Sequence, residues 1–178
     1  MAITASPTAP PQEIEAALEA GSGPLAGRSD RYAFDVFTHY YAAEMGLGLT
    51  KWLAVFVEPM APEALAGLKL AANGVERAWA DEAGRRRVNL DPGYLTPLAL
   101  VLASTKPAAH RIYLRDGVYA EVTLRYDHGA YAPLPWTYPD FRQPLVAAFL
   151  AAWRPRALEL ASAARTPDRA ERSGPSDA

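Results

Sequence analysis

Cysteine is absent from the 178 residues, which excludes thiol catalysis, disulfides and cysteine-ligated zinc and fits a reducing compartment. Neither sign of charge is in excess. The formal net charge is −2, too little to coat a polyanion, so nucleic-acid binding has to come from a local patch. The longest apolar run, Leu145 to Trp153, lies between Arg142 and Arg154; it is about half of what a membrane span needs and fits a buried helix face. No basic residue precedes Arg28 and no signal-peptide core follows Met1, so a cytoplasmic protein that does not engage a membrane is expected.

Several chemical signatures are missing as well. No glycine-rich loop leads into a helix, no Gly-x-Ser-x-Gly elbow is present, and His39, His110 and His128 have no recognised ligand spacing. No metal site is therefore assigned, and no cofactor can be named. Ser104-Thr105-Lys106 offers hydroxyls and an ammonium to anionic oxygens, but it follows an expected helix instead of preceding one, unlike a phosphate loop.

Half of the residues are apolar, and a chain of this length suits one domain that buries about two-thirds of its unfolded surface. A single domain over 1–160 is expected, then a disordered tail over 161–178 whose Pro, Ser, Asp, Arg and Gly cannot build a core. Ala2 to Ser6 reads as a short strand and Gln12 to Leu18 as a helix entered through Pro10-Pro11. Gly21 to Gly27 reads as a loop, Arg31 to Tyr41 as a strand, and Trp52 to Val57 as a stronger one. Leu65, Leu68, Ala72, Val75 and Trp79 recur at helical spacing within Glu63 to Ala80.

Arg87 to Leu90 reads as a strand and Asp91-Pro92-Gly93 as a turn. Thr96-Pro97 looks like an N-cap and first-turn proline opening a short buried helix from Leu98 to Ala103. Gln143 to Leu160 forms a helix interrupted at Pro155. The class implied is α+β: a mixed, mostly antiparallel sheet with three or four helices, compatible with a ferredoxin-like core plus a β-hairpin extension.

That hairpin is the sharpest local signal. His110 to Arg115 and Val118 to Tyr126 flank Asp116-Gly117, a pair favoured in type I′ turns. A regular register sets Arg115 opposite Val118, Ile112 opposite Glu121 and His110 opposite Thr123. His110, Ile112, Glu121, Thr123 and Arg125 then share one face, and Val122, Leu124 and Tyr126 the other. A second turn at Asp127-His128-Gly129 returns the chain through Tyr131 to an extended, proline-punctuated Trp136-Thr137-Tyr138 segment.

Five runs carry a resemblance: Phe37-Thr38-His39-Tyr40-Tyr41-Ala42-Ala43-Glu44-Met45-Gly46, Arg86-Arg87-Val88-Asn89-Leu90-Asp91-Pro92-Gly93-Tyr94-Leu95, His110-Arg111-Ile112-Tyr113-Leu114, Tyr119-Ala120-Glu121-Val122-Thr123-Leu124 and Pro133-Leu134-Pro135-Trp136-Thr137-Tyr138-Pro139. Over about Tyr32 to Arg142 the chain resembles the uncharacterised bacterial and archaeal family known as domain of unknown function 4416. The resemblance implies no activity. Two departures stand out: Met1 to Thr8 is shorter and more polar than the family's first strand, and Ala42 replaces the acidic residue usual after the tyrosine pair.

Two functional readings follow. In the first, His110 is a general acid or base oriented by Glu121, while Lys106 and Arg125, with Thr105 and Thr123, hold a small anionic ligand such as a nucleotide or phosphorylated metabolite. Asn89 and Asp91 join as ligand-orienting groups beside the turn. A solvated sheet face with cross-strand ion pairs would carry the same residues, and an Asp before Pro-Gly also serves simply to bond its turn. In the second reading, Arg85, Arg86, Arg87, Arg111, Arg115, Arg125 and Arg142, interleaved with Tyr113, Tyr119, Tyr126, Trp136 and Tyr138, make a non-catalytic surface for RNA or a protein partner.

Overall fold

Ten strands and four α-helices form among residues 1–164, the part of the chain described by a computed structural model. The tail expected at 161–178 falls almost wholly outside those residues. In the first half, β1 (Ala2–Ala5) leads to α1 (Pro11–Ser22), β2 (Leu25–Arg28), β3 (Tyr32–Ala33), α2 (Ala42–Met45), β4 (Thr50–Phe56), α3 (Leu65–Ala78) and β5 (Val88–Asp91). The loop expected at Gly21 to Gly27 holds the end of α1 and most of β2. Of the strand expected at Arg31 to Tyr41 only β3 forms; residues 34–49 instead make a strap that contains α2 and closes on its own small core of Phe34, Met45 and Leu49.

The first sheet has the order β2-β4-β1-β5, with β3 continuing along β4, and every pairing is antiparallel. Helices α1 and α3 cross over on one face, where Ile3, Trp52, Val88 and Leu90 pack with Ile14, Leu18 and Ala72. Two such crossovers around a four-strand sheet are the split βαβ arrangement of ferredoxin-like folds. The short, polar-looking first strand is its centre, and all four of its residues are buried.

The second half builds a separate sheet from β6 (Gly93–Leu95), β7 (Ala99–Ser104), β8 (Ile112–Arg115), β9 (Val118–Asp127) and β10 (Ala130–Pro133), closed by α4 (Pro144–Ala163). Its order is β10-β9-β7-β6, with β8 also on β9. Ala2 and Leu53 of the first sheet share a core with Leu100, Leu124, Tyr131, Phe141, Val146 and Leu150, so β1 is covered on both faces. No helix among the described residues is long and apolar enough to cross a membrane.

Three local expectations give way to tertiary structure. Asp91-Pro92-Gly93 does not reverse the chain: extended backbone runs through Pro92 from one sheet into the other, and the Pro92 carbonyl accepts Ala103 N–H at 2.9 Å. Leu98 to Ala103 is not a helix. Thr96 caps a tight β6–β7 turn, its Oγ1 accepting the N–H groups of Leu98 and Ala99, and the apolar run that follows is strand β7; periodicity cannot separate the two for so short a run. Finally, α4 continues through Pro155 without a break.

Candidate functional site

The Asp116-Gly117 turn forms with both residues at positive φ, 52° and 74°, and Arg115 pairs with Val118. Beyond that the register shifts. Leu114 is an extra residue, so Ile112 pairs with Ala120, and His110 lies in the turn before β8. A second bulge makes Thr123 the extra residue on β9, between the pairs Leu100–Leu124 and Val101–Val122. Bulges re-aim side chains, and here they bury Glu121, Thr123 and Leu124 while turning Val122 and Arg125 to solvent. The face expected to carry Arg125 with Glu121 is therefore split, and Arg125 pairs with Asp127 at 2.6 Å.

Glu121 becomes the hub of a buried network. Its Oε2 accepts Arg111 Nε at 2.8 Å and lies 3.1 Å from His110 Nε2; its Oε1 accepts the Thr123 hydroxyl at 3.3 Å. Arg111 reaches further, donating to the Lys106 carbonyl at 2.8 Å and the Tyr138 hydroxyl at 3.2 Å. Burial pulls the Arg111 guanidinium down, but its bonds to Glu121 and Tyr138 outweigh this and hold it above its ordinary value. The His110 ring stacks on Trp136 at 5.1 Å and 10°, and Trp136 Nε1 donates to the Val122 carbonyl at 2.9 Å.

A second network adjoins. Lys69, buried on α3, donates to the Leu90 carbonyl and meets Glu76 at 3.3 Å and Asp91 at 3.2 Å. Asn89 bridges Asp91 and Arg86, and Arg86 binds Glu76 at 2.9 Å and Glu44 of the strap at 2.6 and 2.8 Å. Tyr41 links the two networks. Burial pushes its phenol far above the ordinary value, with the charge of Asp91 adding to the effect, and Tyr138 and Tyr40 act on it as well. Lys106 Nζ lies 4.1 Å from the Tyr40 ring centroid and donates to the Tyr40 hydroxyl.

The family model of the domain of unknown function DUF4416 matches residues 1–156. The chain belongs to this family. No curated protein and no solved structure matches it. The five DUF4416-like runs, distant in sequence, meet around these two networks: the first supplies Tyr40, Tyr41 and Glu44, the second Arg86, Asn89 and Asp91, and the others His110, Arg111, Glu121, Thr123, Trp136 and Tyr138.

Of the residues singled out in the sequence, the structure brings together His110, Glu121, Thr123 and, through Arg111, Lys106. Asn89 and Asp91 belong to the adjoining network as structural partners of Arg86 and Lys69. Thr105 is exposed beside Lys106, and Arg125 is apart. Sequence reasoning missed Glu44, Lys69 and Glu76, and placed Tyr138 only among the aromatics of the macromolecular surface. It set Arg86 and Arg111 among nucleic-acid contacts, although a charge at a core position of α3, as Lys69 and Glu76 are, is itself a signal of a buried pair.

The DUF4416 chain also buries Lys51 against Asp140 at 2.6 Å, with Tyr32 donating to the same carboxylate. Lys51, Thr4 and Asn89 lie opposite one another across β4, β1 and β5, all buried. Among the described residues no group of three or more His, Cys, Asp or Glu side chains is arranged to hold a metal ion. A cleft of about 1000 Å³ lies elsewhere, lined mainly by apolar residues such as Phe56, Met60, Leu68, Leu102 and Trp153. None of the sequence-selected site residues lines it, and a large apolar space without convergent polar groups does not by itself specify a ligand.

Proposed function

We propose that this DUF4416 protein is a cytoplasmic binding protein for a small anionic ligand, a nucleotide or phosphorylated metabolite, taken at the face around Lys106 and His110. The supporting observation is Lys106: it is exposed, rests on Tyr40, and meets no carboxylate at ion-pairing distance among the described residues. An ammonium has three donors, and the Tyr40 hydroxyl engages one, leaving two for ligand oxygens. Arg111 clamps the backbone that carries it.

In this reading His110 supplies proton exchange. With the proton on Nε2, the imidazole donates to Glu121 and keeps Nδ1 as an acceptor. Glu121 is a positioning residue; because Arg111 shares the same carboxylate oxygen, it acts by orienting His110 and Arg111 together.

The test is thermal melting against nucleotides, phosphorylated metabolites and short RNA. A small anion at about a hundred times its dissociation constant should raise the midpoint by roughly 5–10 °C, and Lys106→Met should remove most of that rise while leaving the ligand-free melt unchanged. An equal rise in Lys106→Met, or no rise with any small anion, sinks the proposal. Stabilisation by RNA alone, with affinity falling steeply with salt, would favour the macromolecular reading instead.

A further inference from the structure

Arg86 is anchored on one side and open on the other. Its Nη1 is tied to Glu76 and Asn89, both buried, which sets the plane of the guanidinium. Its Nε and Nη2 form the outward edge, and that edge holds both oxygens of Glu44 at 2.6 and 2.8 Å. Two parallel bonds from this edge are how arginine takes a carboxylate or a phosphate. Tyr41 places a second cation nearby: its ring centroid lies 5.8 Å from Arg86 Cζ and 5.7 Å from Lys106 Nζ. The Glu44 carboxyl is held below its ordinary value chiefly by hydrogen bonds from Arg86, and the Lys106 charge contributes.

The carboxylate on this edge comes from the strap at 34–49, which packs partly on itself. Phe34, Met45 and Leu49 form its own core, Asp35 accepts the N–H groups of Gly48 and Leu49, and Gly46 and Gly48 adopt positive φ of 82° and 78° at its exit. Arg86 and Glu44 are both partly exposed, so solvent and solutes reach the pair.

We propose that Glu44 is a built-in occupant of an oxyanion site, and that a phosphate or carboxylate group of the ligand binds the outer edge of Arg86 by displacing Glu44 and loosening the α2 turn that carries it. This rests on the reading that the Lys106 face takes an anion, and it makes Arg86 the second cation of that site. The exchange trades one oxyanion on arginine for another, so Glu44 competes with ligand and returns when ligand leaves. No bond is made or broken.

Inorganic phosphate is the probe, titrated at neutral pH and low salt into wild type, Glu44→Gln, Lys106→Met and the double variant. Glu44→Gln keeps the side chain's shape and removes its charge at a partly exposed position, and circular dichroism checks that each variant is folded. The expected result is phosphate binding at least about tenfold tighter in Glu44→Gln than in wild type (about 1.4 kcal/mol), together with faster amide exchange over residues 38–47. Loss of that gain in the double variant places phosphate between Arg86 and Lys106. A gain that survives Lys106→Met supports displacement at Arg86 and overturns the role given to Lys106. Equal affinities in wild type and Glu44→Gln, both weakened by Lys106→Met, overturn displacement and leave the Lys106 reading standing. Absence of phosphate binding in both wild type and Glu44→Gln overturns displacement.

Discussion

Lysine is used sparingly in this chain, which carries most of its positive charge as arginine: Lys51, Lys69 and Lys106 are its lysines. Two of them are buried, each against a carboxylate. Lys51 lies between the rings of Phe34 and Phe141, at 5.0 and 4.4 Å, and meets Asp140 inside that apolar setting. Removing one partner of such a pair leaves the other charge buried and uncompensated. Lys51→Met should therefore lower unfolding free energy by about 3–5 kcal/mol, and Lys51→Met combined with Asp140→Leu should recover much of it. Urea unfolding measures both; equal stabilities of Lys51→Met and the double variant would show that the ion pair is not the cause. Glu121→Gln is the gentler case, because the amide keeps the shape and some bonds of the carboxylate. It should cost about 1.5–3 kcal/mol through the weakened bond to Arg111, and a cost near zero would remove Glu121 as the hub of its network.

At the scale of elements, turns and long helices were legible in the sequence because their signals are local. Asp116-Gly117 and His128-Gly129 both form turns at positive φ, and α1, α3 and α4 overlie the three long helices expected from the sequence. Residues whose conformation is decided by distant neighbours were not. Gly93 is one: a Cβ there would lie 2.2 Å from the Val101 carbonyl oxygen, so the glycine serves close strand packing instead of a turn. Gly93→Ala should destabilise by at least about 1–3 kcal/mol, the range for overpacking against atoms that cannot yield. A variant as stable as wild type in urea would mean that β6 has room to shift from β7. The helix α4 offers the opposite case. Pro155 sits inside it without ending it and has no N–H to give, so Pro155→Ala should stabilise by up to about 3 kcal/mol. A loss of stability would show that the proline ring is needed where it lines the apolar cleft.

Over the whole molecule, the contact between His110 and Glu121 was legible in advance because the turn before β8 and strand β9 are close in sequence, while the rest of the candidate site required the fold. Arg86 and Glu44 are 42 residues apart, and nothing local in either run announces the other. Strand alternation also misleads here, since Thr4, Lys51 and Asn89 look like a solvated face until the strap and second sheet cover them. This pairing of distant segments makes a prediction about acid. Bonds from Arg86 depress the Glu44 carboxyl from 4.5, and backbone and side-chain bonds from Arg85 depress Asp81 from 3.8. A carboxyl depressed by folding adds stability that is complete above its unfolded value and is lost as pH falls through its folded one. The strap's attachment should thus be constant from neutral pH to about 5 and weaken below the ordinary carboxyl range. Urea midpoints taken from pH 7 to pH 3 should fall less steeply for Glu44→Gln than for wild type. If the strap opens as a local unit before the core does, amide exchange over 38–47 should rise in acid while that of β1 and β4 stays slow. A wild-type profile with the same slope as Glu44→Gln, and uniform exchange across strap and core, would mean that Glu44 does not fasten the strap to Arg86 in solution.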